Sequence, residues 1–197
     1  MKHLVICSAL AGLASTAIAQ DFSLSLIGPS SVTSNSVFTI DVVGDSSFGT
    51  HMLGGGFALE ANSSAIDNMT WTPASWSAFN EDSEGYLGGG NYGQVVFGQL
   101  LLPIPGFDVP AAGSELGGII GSFQVTMNSE HWTVIDFNLI ASSPFTLEAV
   151  DIDNGLSTAQ DVDGQLTLNG LSIFIPAPSS VALLGLGGMV IGRRRRF

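Results

Sequence analysis

From residue 20 to residue 192 this 197-residue chain has no lysine and no arginine. Its five basic residues are Lys2, Arg193, Arg194, Arg195 and Arg196, at the two ends, while all 17 aspartates and glutamates lie between them. This absence excludes nucleic acid as a partner, because phosphate binding rests on cationic side chains. It also removes direct attraction to anionic lipid head groups. Divalent cations and basic partners are compatible with the charge, and so is plain solubility at an exposed surface. Cysteine is missing from the same stretch, since Cys7 is the only one in the chain. The body therefore has no disulfide, no thiolate metal site and no cysteine nucleophile, and its stability must come from its core. Sustained helical periodicity is absent as well, and no apolar run reaches the ~20 residues of an upright membrane span.

The ends carry addresses. Lys2 and His3 precede an apolar stretch over residues 4–14, and Ala17-Ile18-Ala19 follows as a small-x-small site. This is the order of a secretory signal, and it predicts a mature chain beginning at Gln20. The alternative, an N-terminal anchor, needs a longer apolar run. Cys7 lies too early in the signal, and too far from the cleavage site, for a lipoprotein cysteine. At the other end, Pro176-Ala177-Pro178-Ser179-Ser180 leads into a short apolar stretch, residues 181–191, and then Gly192 and the four arginines. Arginines stay on the cytoplasmic side of a bilayer. An exported chain would therefore halt here with its body outside.

The 156 residues between these signals, 20–175, suit one domain. Few charges and many Gly, Ser, Thr and β-branched residues predict an all-β extracellular domain. Phe22-Ser23-Leu24-Ser25-Leu26 alternates apolar and polar, as a half-buried strand does. Val37-Phe38-Thr39-Ile40-Asp41-Val42-Val43 alternates again, and Gly56-Phe57-Ala58-Leu59-Glu60 is a third run. Further runs lie at 94–102, 119–127, 132–140 and 145–150. The runs at 119–127 and 132–140 are expected to pair across Asn128-Ser129-Glu130. Asn169-Gly170 sits between Gln165-Leu166-Thr167-Leu168 and Leu171-Ser172-Ile173-Phe174. It reads either as a two-residue hairpin or as a bulge within one strand. Segments 61–93 and 103–118 are expected to be loops or irregular edges. Eight or nine short strands with Gly/Pro punctuation favour a single antiparallel β-sandwich.

The tail resembles the PEP-CTERM sorting signal of bacterial envelope proteins. Pro176-Ala177-Pro178 stands at the family's proline motif, with Ala177 in place of the usual glutamate. Ser179-Ser180-Val181-Ala182-Leu183-Leu184-Gly185-Leu186-Gly187-Gly188 follows its Ser/Thr-then-Leu/Gly pattern. The resemblance covers about the last 22 residues. It implies recognition by an exosortase, a membrane transpeptidase-like enzyme that removes the tail near the motif. The alternative is a simple single-span anchor. The body resembles the cohesin-like and carbohydrate-binding β-sandwiches, in the strand from Val37 to Val42, in Gly55-Gly56-Phe57-Ala58-Leu59 and in Asp163-Gly164-Gln165-Leu166-Thr167-Leu168-Asn169-Gly170. That implies fold class and carries no binding residue across.

Candidate sites in the body are few. Asp151, Asp153, Asp161 and Asp163, with Asn154, fall within thirteen residues. Such a set can supply oxygen ligands to Ca²⁺, although Gly155 and Val162 break the EF-hand pattern. Asp-Gly and Asn-Gly are also ordinary turn chemistry. Trp71, Trp76, Tyr86 and Tyr92, together with Trp132, offer flat ring faces for stacking on a sugar, or they pack against the core end and under loops. His51 and His131 are the two imidazoles of the body. They have no metal-ligand spacing, and no Gly-x-Ser-x-Gly elbow or phosphate loop accompanies them. Asn62-Ser63-Ser64 and Asn68-Met69-Thr70 match the glycosylation triplet, a coincidence in a bacterial-type export context.

The sequence thus predicts three parts. Residues 1–19 form a secretory signal helix, 20–175 a cohesin-like or jelly-roll-like β-sandwich, and 176–197 a sorting signal with a hydrophobic helix. The expected partners are the export translocon, an exosortase-like enzyme, and exopolysaccharide or other envelope proteins. The expected role is structural or interactive and not enzymatic, with no cofactor other than Ca²⁺ at the acidic loop. The runner-up is a carbohydrate-binding module. The expected location is the cell envelope or extracellular matrix, after transient anchoring in the inner membrane.

Overall fold

The computed structural model describes residues 21–79, 81–99, 111–129, 134–153, 156–160 and 165–176. Both terminal signals lie outside this set, except Pro176. Among the described residues every regular element is a strand: β1 Phe22–Ile27, β2 Val37–Ser46, β3 His51–Ala61, β4 Ile66–Pro73, β5 Asp82–Ser83, β6 Tyr86–Gly88, β7 Asn91–Gly98, β8 Ile119–Met127, β9 Val134–Ala141, β10 Glu148–Asp151, β11 Leu156–Ala159, β12 Leu166–Asn169 and β13 Leu171–Phe174.

Two sheets stack face to face. The first runs β12-β1-β2-β8-β4, antiparallel except for the parallel β1–β12 pair. The second is built around β3, which pairs β7 along one edge. Along its other edge β3 pairs β10 over its first half and β9 over its second. The short β5 and β6 border β7, while β11 borders β10 and β13 borders β9. The expected all-β sandwich is what forms.

Alternation sets which side chains face inward. In β1, Phe22, Leu24 and Leu26 are buried, with Ser23 and Ser25 between them facing out. In β2 the same pattern buries Ile40 and Val42, and in β8 it buries Phe123, Val125 and Met127, while Ile120 is buried beyond a register shift. The inner faces meet in an aromatic centre. Phe57 of β3 lies 5.5 Å from Trp71 of β4 and 6.2 Å from Phe123 of β8, measured between ring centroids. Edge-to-face contacts of this kind add to the area that the rings bury.

Three expectations are corrected. The runs at 119–127 and 132–140 do not pair with each other. β8 lies in the first sheet between β2 and β4, and β9 in the second between β3 and β13, so the connection after Met127 crosses from one sheet to the other. Both strands present apolar residues to the same core, so alternation alone cannot tell a hairpin from a crossing. Asn169-Gly170 likewise makes neither a hairpin nor a bulge. β12 pairs β1 in the first sheet, while β13 pairs β9 in the second. Gly170 is where the chain changes sheet, and a Cβ there would sit 2.5 Å from the Phe137 carbonyl oxygen. The expected irregular segment 61–93 also contains β4, the eight-residue partner of β8, besides β5 and β6.

Candidate binding groove

β3 carries three consecutive glycines, Gly54, Gly55 and Gly56, and they change its inward parity. Met52 points inward on one side of them, while Phe57 and Leu59 point inward on the other. Gly55 has φ +152°, and a Cβ on it would lie 2.5 Å from Leu147 Cδ2. Only glycine accommodates both that backbone and the entry of Leu147 into the core. The outer surface of β3 and β7 is consequently low, and the chain on either side rises above it.

On that surface lie three adjoining depressions of about 480, 350 and 270 Å³. The largest is lined by Ala58, Glu60, Glu84, Leu87, Gln94 and Ile140, among others. The second lies over Gly54, Gly55 and Gly98, with Phe145 and Glu148 at its margin. The third bridges them, since it shares Glu84 and Gln94 with the first and Val96 and Phe145 with the second. Together they form a groove over β3 and β7, floored by glycine at Gly54, Gly55 and Gly98. Along β7, from residue 91 to residue 98, it is about 23 Å long at ~3.3 Å per residue.

Its rims are ordered by specific contacts. Glu84 Oε2 accepts the Gln94 backbone N–H at 3.0 Å, and its side chain crosses Gly93, where a Cβ would clash at 2.6 Å. The Gln94 side-chain amide donates to Ser142 Oγ, tying β7 to the connection between β9 and β10. That connection also sets Phe145 over Gly56. Phe145 is 44% exposed, Leu87 65% and Ile140 37%. These side chains put exposed apolar surface on both sides of the groove, which water does not favour.

The outer face of the other sheet is different. Thr39, Thr70, Thr72, Ser122, Gln124 and Thr126 make it short and polar, and none of the three depressions touches it. It is the solvated face usual for an antiparallel sheet.

The aromatic residues singled out from sequence take core positions. Trp71, Trp76 and Tyr92 are 6%, 5% and 5% exposed, so their faces meet protein and not sugar. Trp71 lies 4.8 Å from Phe123, Tyr92 5.0 Å from Phe123 and Trp76 6.1 Å from Phe97. Trp76 Nε1 donates to the Ile119 carbonyl at 2.9 Å, whereas Trp71 Nε1 is buried without a partner. Tyr86 is half-buried, and its hydroxyl donates to the Ile66 carbonyl at 2.7 Å and accepts the Gly90 N–H at 3.2 Å. It thereby ties β6 of one sheet to β4 of the other. These rings are structural, because stacking on a sugar needs an open face. Trp132 lies outside the described residues.

The other candidates are dispersed. Asp151 Oδ1 accepts the Asp153 N–H at 3.0 Å, the turn chemistry that Asp supports. Asp161 and Asp163 lie outside the described residues, and no group of three or more metal-ligating side chains converges among those described. His51 Nδ1 lies 2.9 Å from Thr50 Oγ1, and its Nε2 lies 4.0 Å from Glu115 at the sandwich edge. His131 lies outside the described residues, as do Ala17, Ala19, Gln20, Ala177, Pro178 and Arg193, Arg194, Arg195 and Arg196. Pro176 follows Ile175, which is buried at 2% exposure. No helix among the described residues is long and apolar enough to cross a membrane.

The groove was missed from sequence. Its signal was the glycine triplet within an apolar run, together with a second glycine, Gly98, which the fold sets opposite Gly54.

No protein-family model matches the chain, and no curated protein matches it. Solved structures do. The seventh ScaB type I cohesin from Pseudobacteroides cellulosolvens superposes with a TM-score of 0.53 at 11% identity, over 80% of this chain and 95% of that one. The sixth cohesin of scaffoldin B from Acetivibrio cellulolyticus, in complex with a Cel5 dockerin mutant, has a TM-score of 0.49 at 10% identity over 81% and 100%. A cohesin module from a Clostridium perfringens family 33 glycoside hydrolase has 0.45 at 14% over 79% and 97%. At such identities the likeness concerns the fold, which is a cohesin-like β-sandwich.

Proposed function

We propose that this chain is an exported, non-catalytic interaction module of the cell envelope or extracellular matrix, and that it holds a protein partner in the groove over β3 and β7. One observation carries the reading: exposed Leu87, Ile140 and Phe145 line a groove about 23 Å long over β3 and β7. A rigid sheet face with a few exposed anchors and a polar margin is how protein interfaces are commonly built. The cohesin-like fold supports the same reading.

In this proposal residues 1–19 direct export through the translocon and are removed, residues 20–175 are the working domain, and residues 176–197 sort it. An exosortase-like enzyme acts near Pro176, Ala177 and Pro178 while Arg193, Arg194, Arg195 and Arg196 stay on the cytoplasmic side. The partner is then another envelope or matrix protein. Exopolysaccharide is the weaker alternative, because Trp71, Trp76 and Tyr92 are buried and the Tyr86 hydroxyl is spent on Ile66 and Gly90.

The test is an Ile140→Asp/Phe145→Asp double variant expressed in the producing cells. Both side chains point away from the core, so the variant is expected to fold and export normally yet pass from the envelope fraction into the medium. Retention equal to wild type, in a variant with a native unfolding midpoint, contradicts the groove as the holding surface.

A further inference from the structure

Every part of the groove carries a carboxylate and none carries a cation. Glu60 and Glu84 line the largest depression, Asp82 and Glu84 the bridging one and Glu148 the second. All four are exposed. The body contains no lysine or arginine to pair with them. Their charge therefore faces the groove uncompensated by any cationic side chain of the domain itself. Leu87, Ile140 and Phe145 lie among them, so the groove presents apolar and anionic side chains together.

We propose that the occupant of this groove is an extended segment of a different protein, with apolar residues alternating with lysine or arginine. The proposal rests on the reading of the groove as a partner site and adds the partner's chemistry. Length and charge support it separately. A strand rises ~3.3 Å per residue, so about seven extended residues fill the groove. Their alternate side chains point to opposite sides, which sets one row toward Phe145 and Ile140 on the β9 side and the other toward Asp82 and Glu84 on the β5 side. Burying Glu60 and Glu84 against a neutral or acidic partner would leave carboxylates desolvated without a counter-charge, which is costly. Against Lys or Arg the same burial is compensated, and the complementary field speeds encounter and rejects like-charged partners. A second copy of the body does not meet this requirement, because its own surface is equally devoid of cations.

The experiment uses the full exported chain recovered from producing cells, titrated with fluorescent eight-residue peptides. Apolar residues occupy alternate positions, and Lys/Arg, Gln or Glu occupy the others. A further probe is the chain's own Gly192-Arg193-Arg194-Arg195-Arg196-Phe197. The cationic alternating peptide is expected to bind at least tenfold more tightly than its Gln counterpart at low salt, with the Glu peptide weakest. The preference is expected to collapse in Glu60→Gln/Glu84→Gln/Glu148→Gln. It should persist in Asp45→Asn/Asp67→Asn/Glu115→Gln, which removes three charges elsewhere. Equal loss in the two triple variants would mean general attraction to an acidic body and would overturn the proposal. So would tightest binding of the chain's own tail, which would make the occupant internal. Binding of all three alternating peptides alike, abolished by Phe145→Asp, would overturn the cationic partner and leave the groove itself standing. Indifference of every peptide to Phe145→Asp would remove both.

Discussion

Truncating Phe57 to alanine tests the parity change on which the groove depends. The glycine triplet turns Phe57 into the core, whereas unbroken alternation from Met52 would turn it outward, onto the groove floor. Phe57 is fully buried, with Trp71, Phe97 and Phe123 at centroid distances of 5.5, 6.1 and 6.2 Å. A phenylalanine buries about 150–250 Å². At roughly 25 cal/mol per Å² that is about 4–6 kcal/mol as an upper bound, of which alanine retains only a small part. Phe→Ala changes in cores cost about 3–5 kcal/mol once the cavity is included. A domain of this size has about 5–15 kcal/mol in all, so the variant should lie near the limit of folding. Its thermal midpoint should drop by roughly 6–20 °C, at about 2–4 °C per kcal/mol. Urea unfolding followed by tryptophan fluorescence gives the number directly, since Trp71 adjoins the deleted ring. Leu87→Ala, at a side chain 65% exposed, should stay within about 0.5 kcal/mol of wild type. A Phe57→Ala cost below about 1 kcal/mol would place Phe57 on the surface and refute the orientation of β3.

Further outcomes follow from the same structure. Gly170→Ala should destabilise by about 1–3 kcal/mol in urea unfolding, because the added Cβ meets a backbone oxygen that cannot yield as a side chain would. Calcium and magnesium at matched ionic strength should raise the thermal midpoint equally, by screening an acidic body. A calcium-selective rise that vanishes in Asp151→Asn/Asp153→Asn would instead assign a site to the 151–163 loop. Intact mass spectrometry of the exported protein should give a chain that begins at Gln20 and ends between residues 176 and 180. Recovery with Arg193, Arg194, Arg195 and Arg196 attached would favour a simple anchor.

Fold class was legible because alternation is strong where a strand has one wet face. β1, β2 and β8 fall where Phe22, Val37 and Ile119 begin apolar–polar runs. β4 was illegible because a register shift between Ile66 and Asn68 breaks its alternation, leaving Ile66, Met69 and Trp71 inward at uneven spacing. The start of β3 was hidden by the glycines that reverse its parity. Sheet assignment was beyond the pattern, since β8 and β9 bury apolar residues equally well as neighbours or on opposite sheets. Trp71, Trp76 and Tyr92 show the converse limit. Composition marks them as surface or core with equal ease, and only the packing of Phe57, Phe97 and Phe123 decides. The groove needed three dimensions because its lining comes from chain segments between residues 53 and 148.

The central claim is that the partner sits over β3 and β7. A photoreactive amino acid placed at Ala58 or Val96, on the groove side, and at Thr70, on the opposite sheet face, tests it in the producing cells under illumination. The account predicts a discrete higher-mass adduct from Ala58 and Val96 and none from Thr70. Adducts from Thr70 alone, or from all three positions without distinction, would contradict it.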